Sequence, residues 1–159
     1  MATPQTPGTA RAAGTPVEHA VEGHLRSEGI RFTAARRLVV RVLAAGAGPQ
    51  TAGDLHAALQ DHLPLSSLYR TLAVLEENRV LAKEHDGGGV ARFELAEWLT
   101  GHHHHLVCTA CGEVRDVGID PHAEKTIARL VEGVASGMGY RASGHRIDIE
   151  GTCAACRND

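Results

Sequence analysis

The chemistry in this chain is concentrated in sulfur and imidazole. Cys108-Thr-Ala-Cys111 and Cys153-Ala-Ala-Cys156 are two C-x-x-C pairs, and they use all four cysteines of the 159 residues. That spacing lets both sulfurs of a pair face one point from a tight turn. Two pairs supply four thiolates, which fill the tetrahedron of a structural Zn2+ and leave no open position. Binding energy at such a site is folding energy. One pair alone would read equally well as a redox dithiol or as buried free thiols. Two pairs with nothing left over favour zinc, and disulfides are not expected in a reducing cytosol.

Just ahead of the first pair stand four consecutive histidines, His102-His103-His104-His105. In a strand, successive side chains point to opposite faces. His102 and His104 would then share one face, and His103 and His105 the other. Each pair is able to seed its own metal site. Neutral imidazole is a good ligand near neutral pH, and carboxylates complete mixed nitrogen/oxygen sites. Glu94, Asp116 and Glu124 are candidate carboxylates, with His85 and His145 as further imidazoles. The competing readings are an expression tag and a solvated polar strand. A tag is usually terminal, not embedded before a C-x-x-C.

Nothing marks a catalyst. There is no H-E-x-x-H, no G-x-S-x-G and no phosphate loop, and no feature marks a substrate pocket. Apolar residues make up 43% of the chain and aromatics only 3%, so a core must rest on Leu, Val, Ile and Ala. No apolar run is long enough to span a membrane, and no secretory signal is visible, so a cytoplasmic protein is expected. Net charge is −3, but it is unevenly spread. Between His24 and Leu75 six arginines face three acids, whereas from Asp86 onward seven basic residues face eleven acidic ones. The first half suits a polyanion and the second half suits cations.

The elements that must position these groups follow from periodicity and punctuation. Residues 1–16, rich in Thr, Ala, Pro and Gly without periodicity, read as a disordered tail. Val17–Glu28 reads as a helix closed by Gly29. Thr33 caps a second helix carrying Leu38, Val39, Val42 and Leu43, broken at Gly46–Pro49. Thr51 caps a third, stopped at His62-Leu63-Pro64. Ser66 is the expected cap of a fourth, Ser67–Asn78. Val80–Glu84 and Val90–Leu95 flank a glycine turn, Asp86–Gly89, as a hairpin does. Ala96–Gly101 looks like a hinge. Beyond it, His102–Val107, Glu113–Val117 and Arg146–Glu150 read as strands, and Pro121–Ser136 as a helix. This gives an α+β chain: a winged helix over 17–96, then a small α/β unit over 97–159.

Two helices joined by a short turn form the helix-turn-helix pattern. In it, the N-terminal residues of the second helix reach base edges in the major groove. Arg70 would pair with guanine, and Tyr69 would pack on thymine methyls or reach a phosphate. Ser66 and Ser67 would bond phosphates, and Arg31, Arg36 and Arg37 suit backbone contacts. A plain helical hairpin with exposed charges, or a protein-binding winged helix, fits the pattern too.

Taken together, these residues resemble the ferric uptake regulator family. Arg31-Phe-Thr-Ala-Ala-Arg36 resembles its R-[LF]-T-x-x-R opening, and Ser67-Leu-Tyr-Arg-Thr-Leu72 its recognition helix. Arg92-Phe-Glu-Leu95 is similar to its hinge segment. His102–Gly112 is close to its H-H-H-x-L-x-C-x-x-C-G signature, and Gly151–Cys156 to its terminal pair. The resemblance implies a homodimeric, metal-responsive repressor with winged helices outside. Central dimerisation units would each carry a three-stranded antiparallel sheet. It implies repression of metal-uptake genes at palindromic operators in double-stranded DNA. It assigns structural Zn2+ to Cys108, Cys111, Cys153 and Cys156. A hinge sensor for Zn2+ or Fe2+ would use Glu94, His103, His105 and Asp116. A second site would use His102, His104, Glu124 and His145. Many iron-type members carry a histidine where this chain has Pro49, and His85 is the candidate substitute. The alternatives are a metal storage or delivery protein that does not act on DNA, and a peroxide-sensing member of the same family.

Overall fold

The computed structural model describes residues 14–85 and 89–157. The expected tail over 1–13 and the glycine turn at 86–88 lie outside the described residues. Thr15 and Pro16, expected in the tail, are ordered. Thr15 caps α1 (Pro16–Ser27) with a reciprocal capping box to Glu18. Such a box satisfies two otherwise orphaned N–H groups. Thr33 and Thr51 cap α2 (Ala34–Ala45) and α3 (Ala52–Leu59), as expected. The cap of α4 (Leu65–Glu77) is a correction. It is Pro64, with no side-chain cap bond, so Ser66 lies inside the first turn. Proline's fixed φ prepares the extended entry and its missing N–H costs nothing there.

The wing is β2 (Leu81–His85) paired with β3 (Ala91–Leu95). A two-residue strand not anticipated from sequence, β1 (Gln50–Thr51), adds to the other edge of β3, giving an antiparallel sheet in the order β1-β3-β2. Leu25, Val39, Leu55, Leu68, Leu72, Leu75 and Val80 are essentially inaccessible and, with Phe93 and Leu95, form the core beneath it. Burying one such side chain contributes about 1.5–3 kcal/mol.

The expected hinge is helical for one turn, α5 (Glu97–Thr100). Its Trp98 donates its indole N–H to the Arg79 carbonyl at 2.8 Å and lies 5.0 Å, ring to ring, from His24. Then come β4 (His104–Cys108), β5 (Val114–Val117), α6 (Pro121–Gly137), β6 (Asp148–Gly151) and α7 (Ala154–Arg157). The second sheet has the order β5-β4-β6. It was expected to be antiparallel, but this holds only for β4 with β5; β6 runs parallel to β4. The physical reason is the crossover: α6 carries the chain from one edge of β4 to the other, and β6 enters alongside rather than by a hairpin.

The two halves differ in how they are held. Among the described residues beyond Ala96, only His104, His105 and Cys108 are buried. The 17-residue α6 buries none of its own. No described helix is long and apolar enough to cross a membrane.

Candidate metal centres and nucleic-acid interface

The four thiols converge. One ligand atom from each of Cys108, Cys111, Cys153 and Cys156 lies within 4.8 Å of the others, and Cys111 Sγ stands 3.8 Å from Cys153 Sγ. Cys108 closes β4 and is buried, Cys111 follows one turn later, and the other pair opens α7. Gly112 takes φ 74°, the left-handed turn that returns the chain into β5. The electrostatics are those of a cation site. The backbone N–H groups of Cys111 and Cys153 pull the Cys108 thiol down to about 6. Hydrogen bonding with the Cys111 and Cys153 thiols pushes Cys156 up to about 12. Four thiolates cannot share this volume without a positive ion, so the donor set fits Zn2+.

The histidines divide as strand alternation requires, although regular pairing starts only at His104. On one face, His103 Nε2 and His105 Nε2 approach the same Glu94 oxygen at 3.2 and 3.1 Å. Asp116 lies 3.9 and 3.7 Å from these two nitrogens. The register explains Asp116: it sits directly opposite His105 in a non-hydrogen-bonded pair, the closer of the two antiparallel spacings. Glu94 comes from β3, so this cluster joins the winged helix to the second sheet.

Charge follows geometry here. Burial opposes the Glu94 carboxylate, but hydrogen bonds from His105 and His103 outweigh it and hold its pKa below the ordinary value. The Glu94 hydrogen bond raises His105. For His103, burial works against the charged form, yet the Gly101 carbonyl and Glu94 outweigh it and the pKa rises. Burial, reinforced by the nearby Glu94 charge, raises Asp116.

On the other face, His104 Nε2 and His145 Nε2 each lie 2.9 Å from a Glu124 oxygen, and His102 Nε2 lies 3.5 Å away. The His104 interaction comes first in holding Glu124 low. His104 is 1% exposed and its Nδ1 has no hydrogen-bond partner. A buried ring nitrogen without a partner is costly; it is the other ring nitrogen, Nε2, that faces Glu124 in the cluster.

His85 is the exception. It is exposed at the end of β2 and does not join Glu94, His103, His105 and Asp116. Paired across from Ala91, it ends the wing strand and lines a small cavity with His105 and Asp148. Sequence reasoning missed Asp148. Its carboxylate accepts from His105 Nδ1 at 3.2 Å, behind the hinge cluster. The missing signal was pairing: β6 alongside β4 sets Asp148 against His105. Glu97, 2.8 Å from His102 Nδ1, was missed as well.

Of the DNA-contact candidates, Tyr69 is 54% exposed, and Ser66 and Arg70 are exposed in the first two turns of α4, with Ser67 half-buried. Arg31 is exposed, and Arg36 turns back onto the Arg31 carbonyl. Arg37 is engaged internally: it reaches the buried Glu18 at 3.3 Å and Glu22 at 3.8 Å and covers the Phe32 ring. It fastens α2 to α1 rather than facing outward.

A model of the ferric uptake regulator family matches residues 27–150. The chain belongs to this family. It is 30% identical to the ferric uptake regulation protein of Bacillus subtilis, over 86% of this chain and 91% of that protein. It is 28% identical to the peroxide operon regulator of the same organism, over 83% and 88%. Among solved structures it is similar to the Vibrio cholerae ferric uptake regulator, at TM-score 0.68 and 26% identity over 84% of this chain and 99% of that one. Family members are metal-responsive transcription regulators and not enzymes.

Proposed function

We propose that this protein is a homodimeric repressor that binds palindromic operators of metal-uptake genes when a regulatory metal is held at its hinge. The observation that carries this reading is the origin of the hinge ligands. Glu94 belongs to the winged helix, while His103, His105 and Asp116 belong to the second sheet. Their donor atoms come together only when the two halves are apposed. Metal binding therefore favours the apposed arrangement and sets the angle at which α4 is presented, a population shift. The Vibrio cholerae relative shows structural rearrangement of its DNA-binding domains. Two nitrogens with two carboxylates suit Zn2+ best and Fe2+ next. Cys108, Cys111, Cys153 and Cys156 would hold a structural Zn2+, and His102, His104, Glu124 and His145 a further ion. Tyr69, Arg70, Ser66, Ser67, Arg31 and Arg36 would meet DNA. The division into a DNA-binding unit up to residue 96 and a dimerisation unit beyond it, and a cytoplasmic setting, belong to the same reading.

The dimer rests on the second half's lack of a core. Leu130, Val134, Met138 and Tyr140 are all more than 60% exposed, along one end of α6 and just past it. A patch of this kind is normally covered by protein.

The test is selection of DNA from a random double-stranded pool with zinc present. The selected site is then titrated in chelator, zinc, ferrous iron, manganese and nickel. Tight binding in zinc, lost in chelator and lost in a Glu94→Ala/His103→Ala variant that still holds its thiolate zinc, is expected. Equal binding in chelator would reject the hinge-sensor role. Arg70→Ala should abolish DNA binding while metal content stays unchanged; a storage protein would enrich no site at all.

A further inference from the structure

The hinge cluster has one side chain from the winged helix, but the halves also meet through backbone a few ångströms away. β5 is an edge strand, with β4 on one side only. In its pairing with β4, Cys108 donates to the Glu113 carbonyl. Antiparallel pairs alternate, so Val114 and Asp116, which sit between bonded pairs, turn their N–H and C=O groups to the open edge. That edge is occupied. The loop between α2 and β1 lies against it, and the Asp116 N–H donates to the Ala47 carbonyl at 2.9 Å. The next residue, Gly48, comes so close that an added Cβ would stand 2.6 Å from the Val114 carbonyl oxygen and 3.0 Å from Arg115 Cα. Both obstacles are backbone, so no rotamer change relieves them. Glycine is needed here for the approach, not for its φ.

We propose that Ala47 and Gly48 form the positioning element of the hinge site. By docking on the β5 edge they fix the backbone of Asp116, so that this ligand is aimed at His103 and His105 only while the winged helix is seated. This rests on the reading of Glu94, His103, His105 and Asp116 as metal ligands. It adds that assembly of the site passes through a backbone contact requiring glycine at position 48. Closure and ligand placement are then one event: a metal ion stabilises the seated loop, and the seated loop improves the metal site.

The decisive variant is Gly48→Ala, with Gly23→Ala as the control, because a Cβ at Gly23 meets nothing within 4 Å. The first readout is amide hydrogen exchange by NMR on the zinc-loaded full chain. The Asp116 amide should be protected in the unaltered protein, and Gly48→Ala should speed its exchange roughly tenfold or more while Arg115, bonded within the ladder, is unmoved. The second readout is cobalt(II) titration followed by visible absorption. Gly48→Ala should weaken the hinge component about tenfold or more and spare the thiolate-held one. An unprotected Asp116 amide in the unaltered chain would overturn the proposal whether or not the variant folds. So would unchanged Asp116 protection or unchanged cobalt affinity in a folded Gly48→Ala protein. If Asp116 is protected and Gly48→Ala releases it, but Glu94→Ala/His103→Ala leaves the cobalt titration unchanged, docking stands. The positioning role then falls with the metal reading.

Discussion

His105 is held from both sides. Its Nε2 faces Glu94 at 3.1 Å and Asp116 at 3.7 Å, and its Nδ1 donates to Asp148 at 3.2 Å. A carboxylate behind a ligand imidazole fixes its tautomer and raises its basicity, and losing such a partner costs about 10–100-fold in metal affinity. Asp148→Asn should therefore weaken the hinge site by about tenfold, read by competition with a chelating dye, while Glu124-centred binding is unchanged. The same residues set a pH dependence. Glu94, held below its ordinary 4.5, stabilises the fold above that value, and this is lost as pH falls through the lowered pKa. His103 and His105, held above their ordinary 6.5, stabilise it fully below 6.5, and this is lost as pH rises through the raised values. By these three groups the metal-free hinge is best held between 4.5 and 6.5, while Asp116, raised above its ordinary 3.8 by burial, opposes it as that carboxyl ionises. A metal ligand must be a neutral imidazole, so loading the hinge displaces protons. Calorimetry near the ordinary histidine pKa of 6.5, in buffers of different ionisation enthalpy, should show proton release, with affinity rising as pH increases. A flat affinity across that range would contradict these pKa directions.

Elements whose information is local were legible in the sequence. Thr33 and Thr51 announced their helices because a hydroxyl or carboxylate satisfying early N–H groups is a short-range signal. The histidine alternation was legible for the same reason, and the two clusters assembled as strand geometry required. What was not legible depends on pairing across the chain. β1 exists only because β3 offers an edge. Asp148 matters only because β6 lies beside β4, and the mixed sheet follows from where α6 delivers the chain. Ser66 looked like a cap from composition, but Pro64 sets the entry. His85 is a candidate because imidazole is a good ligand, but its place at the wing's end, set by pairing with β3, leaves it outside the four-residue group. The thiolate quartet ties the end of β4 to α7 in a half with almost no buried apolar core. Replacing Cys108 or Cys153 with Ser should therefore unfold or monomerise this half rather than merely desensitise it. Circular dichroism and sedimentation, together with zinc content, check this; a folded dimer lacking that zinc would remove the structural role.

For the whole molecule, the contrast between a well-cored first half and an exposed second half makes self-association part of stability. Leu130→Glu with Val134→Glu, on the open face of α6, should shift sedimentation to a monomer. It should also weaken binding to a two-half-site operator far more than to a single half-site, because the link between half-sites is lost. Retained dimer mass would place the interface elsewhere. Trp98 has a separate consequence. It is the chain's one tryptophan, and it sits in the single helical turn between the halves, beside His24 and bonded to Arg79. Its emission therefore reports on this one turn alone, so the packing of α5 against Arg79 and His24 of the winged helix can be followed in real time by fluorescence without any attached dye.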